Sequence, residues 1–187
     1  MEGLNTTIAN PATTVKNPED YSVLNKTTAV VNDTENPVKI TIILPTNAYF
    51  MAGIRDFTMT IVQNMTEFSE QWAYRFQSVV DELTNNAIEF GSASGKDIKI
   101  SFVSKKGKYI EVYVEDSGTG SVKKTAAEMQ AFVEKQRHID PTKITSIRGR
   151  GLSQIVSNWT DSLEFRDNEQ GGLTVHVVKY LERGEQF

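Results

Sequence analysis

The strongest constraint on the fold is a pair of runs in which apolar and polar residues alternate. They are Asp97-Ile98-Lys99-Ile100-Ser101-Phe102 and Tyr109-Ile110-Glu111-Val112-Tyr113-Val114-Glu115. Successive side chains of a strand point to opposite faces, so each run reads as a strand with one buried face. Lys105-Lys106-Gly107-Lys108 between them is a turn, and together they make a hairpin. The second strand runs straight into Asp116-Ser117-Gly118-Thr119-Gly120.

Ahead of the hairpin the period changes. Phe68, Trp72, Phe76, Val79, Leu83 and Ala87 recur at steps of three and four, the stripe of an amphipathic helix that starts near Glu67 and is stopped by Gly91. Glu82 and Asn86 stand one turn apart on a face bordering that stripe. Taken alone, the pair reads as surface polar residues of a packing helix. Upstream, Val38 to Leu44 is a strand closed by Pro45. A helix from about Asn47 to Met65 follows, with Phe50, Ile54, Phe57, Ile61 and Met65 on one face and Arg55 outside it.

Downstream, Ser121 to Ile147 is irregular. Ala126, Met129, Phe132 and Val133 mark one short helix that ends before Pro141, and a connection of this length is often a lid. A helix opening at Gly151 carries Leu152, Ile155, Val156 and Trp159 on one face. The strands Ser162 to Arg166 and Leu173 to Leu181 then surround an Asn168-to-Gly172 turn. The order predicts an α+β fold: a two-layer α/β sandwich whose mixed, mostly antiparallel sheet has helices on one face.

Residues 1–36 are rich in Asn, Thr and Pro with little apolar content, and read as a disordered or loosely attached tail with Thr27 to Val31 as a candidate edge strand. Residues 37–187 read as the folded domain. A net charge of -4 argues against a nucleic-acid surface, which wants a basic patch. The absence of cysteine removes disulfides, thiolate metal sites and cysteine nucleophiles together. No apolar run reaches the length of a membrane span and no basic-then-apolar leader opens the chain, so a cytoplasmic protein away from membranes is expected.

Two stretches can carry chemistry. In Asp116-Ser117-Gly118-Thr119-Gly120, the glycines let backbone approach a ligand and the aspartate can accept hydrogen bonds from an exocyclic amine such as that of adenine. The same residues would also make a plain turn after a strand. Arg148-Gly149-Arg150-Gly151-Leu152 opens a helix, where backbone N–H groups, the helix dipole and two arginines suit an anion; a hinge ahead of a core helix would look the same. No Gly-Lys-Ser/Thr follows, so this is not a Walker A loop, and neither cluster matches Gly-x-Gly-x-x-Gly. The two histidines, His138 and His176, have no carboxylate-rich sequence neighbourhood and read as structural or solvated.

The order of these stretches is distinctive: a helix with Glu-x-x-x-Asn-Ala, a strand ending in Asp-x-Gly-x-Gly, a lid-length gap, then Gly-x-Gly-Leu opening a helix. From about Val38 to Tyr180 the chain resembles the Bergerat-fold ATPases, the superfamily of gyrase, heat-shock chaperone, histidine kinase and mismatch-repair ATPases. Within it, the chain is similar to the anti-sigma-factor serine/threonine kinases of bacterial partner-switching systems. The resemblance implies ATP and Mg²⁺ as cofactors. Asn86 would ligate the metal, and Glu82 would orient or deprotonate the attacking serine hydroxyl or a water. Asp116 would read the adenine amine, with Gly118 and Gly120 letting the base lie close. Gly149, Gly151 and the N–H groups near Leu152 would hold the triphosphate with Arg148 and Arg150 as helpers, and Thr174 would touch the adenine edge. Arg55 matches a partner-facing arginine. Phe90 stands where many relatives have histidine, and Ser121-Val122 replaces a frequent Phe-Asp.

The function this implies is an ATP-dependent protein serine kinase that phosphorylates an antagonist protein and sequesters a sigma factor, working as a homodimer. A nucleotide-gated binding module without appreciable kinase activity is the alternative. The ATPase domain of a sensor kinase fits less well, because the sequence read here places no dimerising phosphoacceptor helix ahead of the domain.

Overall fold

The computed structural model describes residues 13–14, 36–137 and 151–182. Its strands are β1 (Thr13–Thr14), β2 (Val38–Pro45), β3 (Asp97–Lys105), β4 (Tyr109–Glu115), β5 (Ser162–Asp167) and β6 (Leu173–Tyr180). They form one sheet in the order β1-β2-β3-β4-β6-β5. Neighbours from β2 to β5 pair antiparallel, and β1 joins β2 in parallel. The mixed, mostly antiparallel sheet and the α+β class are those expected. The edge strand expected at Thr27 to Val31 lies outside the described residues.

The alternation that defines the hairpin also sorts the whole sheet. In register, Ile42, Ile100, Val112 (through its own neighbour Phe102) and Val177 fall on one face and are all buried. Helices α1 (Met51–Met65) and α2 (Glu70–Asn86) supply the other half of this core with Ile54, Ile61, Val62, Phe76, Val79 and Leu83. The opposite sheet face carries Thr41 bonded to Ser101 at 2.8 Å, the Lys99–Glu115 ion pair at 2.8 Å, and Tyr113 stacked on His176 at 4.1 Å. Glu111 accepts from the Tyr113 hydroxyl at 2.7 Å and lies 3.1 Å from His176 Nε2. Burial, and then the bond to Glu111, push Tyr113 up to about 12, so it remains a neutral donor. These polar groups pair largely with one another, and the helices take the apolar face.

Several helix boundaries differ from the periodic reading. The helix expected from near Glu67 begins at Glu70, because the Ser69 side chain accepts from Trp72 N and caps it. Phe68 is buried just ahead of that cap, so it extends the apolar stripe without belonging to the helix. At the far end α-geometry stops at Asn86, and Ala87–Gly91 form one wider π turn. The helix expected after Gly151 likewise opens as a π turn, Gly151–Val156, and becomes α4 only over Ser157–Trp159. A further helix, α3 (Ala126–Arg137), begins with a capping box in which Thr125 and Glu128 bond each other's backbone N–H. No helix among the described residues is long and apolar enough to cross a membrane.

Phe102 is 1% exposed and meets Phe57 of α1 edge-on at 5.7 Å. Phe102→Ala should therefore cost about 3–5 kcal/mol, from lost burial plus an unfilled cavity. A urea titration should show a lower midpoint with an unchanged slope.

Candidate functional site

The two π turns and the loop after β4 enclose a cavity of about 470 Å³ above the helix-covered face of the sheet. Its walls are mainly apolar, with Leu83, Ala87, Val114, Met129, Leu152 and Phe165 among them. Asn86, Asp116 and Gly118 reach the same space. Residues as far apart in sequence as Leu83 and Phe165 are thus brought to one cleft.

Asp116 is the first residue past β4 and is only 9% exposed. Its Oδ1 accepts from Gly118 N at 2.8 Å and from Leu173 N at 3.2 Å. Those bonds leave Oδ2 as the oxygen not committed to backbone. Burial pushes the carboxyl above its ordinary 3.8, and the two backbone bonds pull it part of the way back. Because the folded value is the higher one, any stability from this group is full below the unfolded pKa and is lost as pH rises through the folded one. Ionised Asp116 therefore costs stability, which is a common signature of a functional position.

Glycine backbone makes this arrangement possible. A Cβ on Gly91 or on Gly172 would run into the Asp116 carboxylate. Gly118 has a φ of +62°, and a Cβ there would strike the Gly171 carbonyl. Gly120 donates to Gly91 O at 3.1 Å and abuts the Phe90 carbonyl, so it packs the loop against the π turn and does not line the cavity. Ser92, Ser117 and Thr119 complete the weld through hydroxyl bonds of 2.6 to 3.0 Å.

At the end of α2, Asn86 Nδ2 donates to Glu82 Oε1 at 2.9 Å. Asn86 lines the cavity but Glu82 does not. The Glu82 carboxylate instead fills the space that a Cβ on Gly151 would occupy. Gly151 therefore meets Glu82, and Leu152 beside it is buried in the cavity wall. Arg148, Gly149, Arg150 and His138 lie outside the described residues.

Thr174 is not at the cavity. Leu173 and Val175 line it, and strand alternation turns Thr174 to the opposite face, across from Glu115 and Arg166. His176 shares that opposite face. Arg55 is on α1 away from the cavity, 2.7 Å from Asp81 of α2. The hydrogen bond to Asp81, and then its charge, raise the Arg55 pKa.

Two contributions escaped the sequence reading. Asn168 donates to the Asp116 backbone carbonyl at 2.9 Å while its Oδ1 accepts from Gln170 N and Gly172 N. It folds the β5–β6 turn and fastens it to the acid. Asn-to-Gly turns are so common that only its distance from Asp116 in space reveals the role. Lys123 and Lys124 stand at the cavity wall, and Lys124 Nζ lies 4.4 Å from the centre of the Phe132 ring. Nothing in the sequence sets them apart from other surface lysines.

A mainly apolar cleft of this size, with an anchored carboxylate and an amide in its wall, on a helix-backed antiparallel sheet, is a small-molecule site of an α+β domain. The chain belongs to the histidine kinase-like ATPase domain family, whose model matches residues 44–179. No curated protein was found to match the chain. The family implies ATP binding, and the site fits it. The cavity lies within the roughly 300–1,000 Å³ usual for small-molecule sites, and Asp116 Oδ2 can accept from an exocyclic amine. Asn86 supplies one amide oxygen, which suits Mg²⁺, an ion that takes few protein ligands beside phosphate and water.

Asn168→Ala should weaken ATP binding by about 1–2 kcal/mol, since Asp116 and the turn lose their shared anchor. Calorimetric titration of the purified variant would show this, and an unchanged Kd would mean that the turn holds without it.

Proposed function

We propose that this protein is an ATP- and Mg²⁺-dependent protein serine/threonine kinase and anti-sigma factor. Its substrate would be a serine on a small antagonist protein, and phosphorylation of that antagonist would free the kinase to hold its sigma factor. The observation that carries the reading is the anchored Asp116 carboxylate, whose Oδ2 is left for a ligand at one end of a cleft with Asn86 in its wall. The motif order in the sequence supports the branch of the family. Phosphoryl transfer asks mainly for positioning and charge neutralisation, and Mg²⁺ would supply the latter at the phosphates.

Asp116 binds and selects the adenine, with Gly118 and Gly120 keeping the backbone close to it. Gly149, Gly151 and the N–H of Leu152 hold the triphosphate, aided by Arg148 and Arg150. Glu82 orients the acceptor hydroxyl. Leu173 and Val175, and not Thr174, are the β6 residues beside the adenine. Arg55 faces the partner, and the kinase acts as a homodimer. A second reading, a nucleotide-gated binding module, gains support from the engagement of Glu82 by Asn86 and Gly151 and its place off the cavity wall.

Radiolabelled ATP with a candidate antagonist distinguishes the two. The kinase transfers label to a serine, and Glu82→Gln binds ATP yet loses transfer; the module binds ATP and transfers none. Asp116→Ala should lose about 1.5–3 kcal/mol of ATP affinity, the worth of a hydrogen bond to a charged group. Unchanged affinity would refute the assignment of the adenine site. Binding by the unmodified protein should fall on acidification with a midpoint above 3.8, as the raised Asp116 carboxyl protonates, and Asp116→Asn should lack that limb.

A further inference from the structure

The contact between Asn86 and Glu82 settles more than the packing of one helix turn. A carboxylate can only accept hydrogen bonds when ionised, and an amide has a donating end and an accepting end. With Glu82 Oε1 at 2.9 Å, the nitrogen of Asn86 must turn toward Glu82. Its carbonyl oxygen is thereby turned away from Glu82, and Asn86 is a residue of the cavity wall. Without a fixed acceptor, the amide could rotate and present nitrogen, a donor that repels a cation, at similar cost.

Glu82 is itself held. It lies one helical turn before Asn86 on α2, and Gly151 closes directly over its carboxylate. A Cβ at position 151 would occupy the space of the carboxylate, so a larger residue there would push Glu82 out of its present place. The second oxygen, Oε2, is not the one bonded to Asn86.

We propose that Glu82 is a positioning residue for the metal site: it fixes the Asn86 amide with its oxygen toward the cavity, and Gly151 fixes Glu82. This rests on the ATP–Mg²⁺ reading above and adds a second task to the residue assigned there to the acceptor hydroxyl. It assigns Gly151 a steric part in the metal site besides its place in the anion loop. Outer partners of this kind typically contribute about 10–100-fold to metal affinity.

The test compares ATP affinity with Mg²⁺ and with EDTA, by calorimetric titration of the full chain, so that no catalytic turnover is needed. In the unmodified protein Mg²⁺ should tighten ATP binding. Glu82→Ala should bind ATP in EDTA within about twofold of the unmodified protein, which also shows that the variant is folded, but should lose at least about tenfold of the Mg²⁺ enhancement. Glu82→Gln keeps an acceptor oxygen and removes the charge, and it should retain most of the enhancement. If Glu82→Ala keeps the full enhancement, the inference is wrong. If Glu82→Gln loses as much as Glu82→Ala, the charge of Glu82 draws the metal and the orientation of Asn86 is not its task. If the unmodified protein binds no ATP at all, the functional reading falls first and this one with it.

Discussion

The site depends on a buried carboxylate that is held by backbone. Asp116 Oδ1 reaches Leu173 N only because β4 and β6 are neighbours in register, with Glu115 opposite Thr174. Shifting that register by one residue would turn Val112, Val114, Val175 and Val177 out of the core. The apolar face of the sheet thus fixes, at no extra cost, where the acid sits relative to the β5–β6 turn. Burial of the carboxyl opposes folding when it is ionised, and the two N–H bonds offset part of this. What remains is an acceptor oxygen poised in an apolar cleft, the condition under which one hydrogen bond discriminates strongly among ligands.

The second constraint is the change of helix pitch at Asn86. An α-helix continued through Ala87–Gly91 would carry the chain on along the axis of α2. The wider π turn instead places the Phe90 carbonyl against Gly120 and Gly91 against Asp116. The end of the helix and the loop after β4 become one body, joined by backbone and hydroxyl bonds. Asn86 and Asp116 therefore keep a fixed separation that follows from the fold and not from any bond between them.

Much of this was legible in the sequence because burial writes a period into the chain. Alternation gave the hairpin and the sheet faces, and three- and four-residue steps gave α1 and α2. The candidate site was legible where chemistry restricts the residue type: Asp116 with its glycines, and Glu82 one turn from Asn86. Three features left no such mark. Thr174 was assigned to the adenine edge from its motif, but the phase of β6 relative to Asp116 puts Leu173 and Val175 on the cavity side. Asn168 acts through a contact 52 positions away, and local pattern cannot register such a partner. The π turns differ from α geometry by one residue in the hydrogen-bonded step, too little for a short apolar stripe to reveal.

Floor and roof of the cavity share one apolar core and differ in the polar bonds that secure them. The floor is the sheet and α2, continuous with the apolar core through Leu83, Val114 and Phe165. The roof is the start of α3, where Met129 and Phe132 face the cavity. That start is tied to the sheet by Ala126 N, which donates to Asp167 Oδ1 of β5 at 2.9 Å, and closed on itself by the Thr125–Glu128 capping box. These bonds are exposed to water, where each competes with solvent and contributes little net stability. Regions held by solvent-exposed bonds open at lower free energy than a packed core. Helix α3 also reaches the core through Val133, which is fully buried. Asp116 and Asn86, the groups proposed to meet a ligand, both sit on the floor.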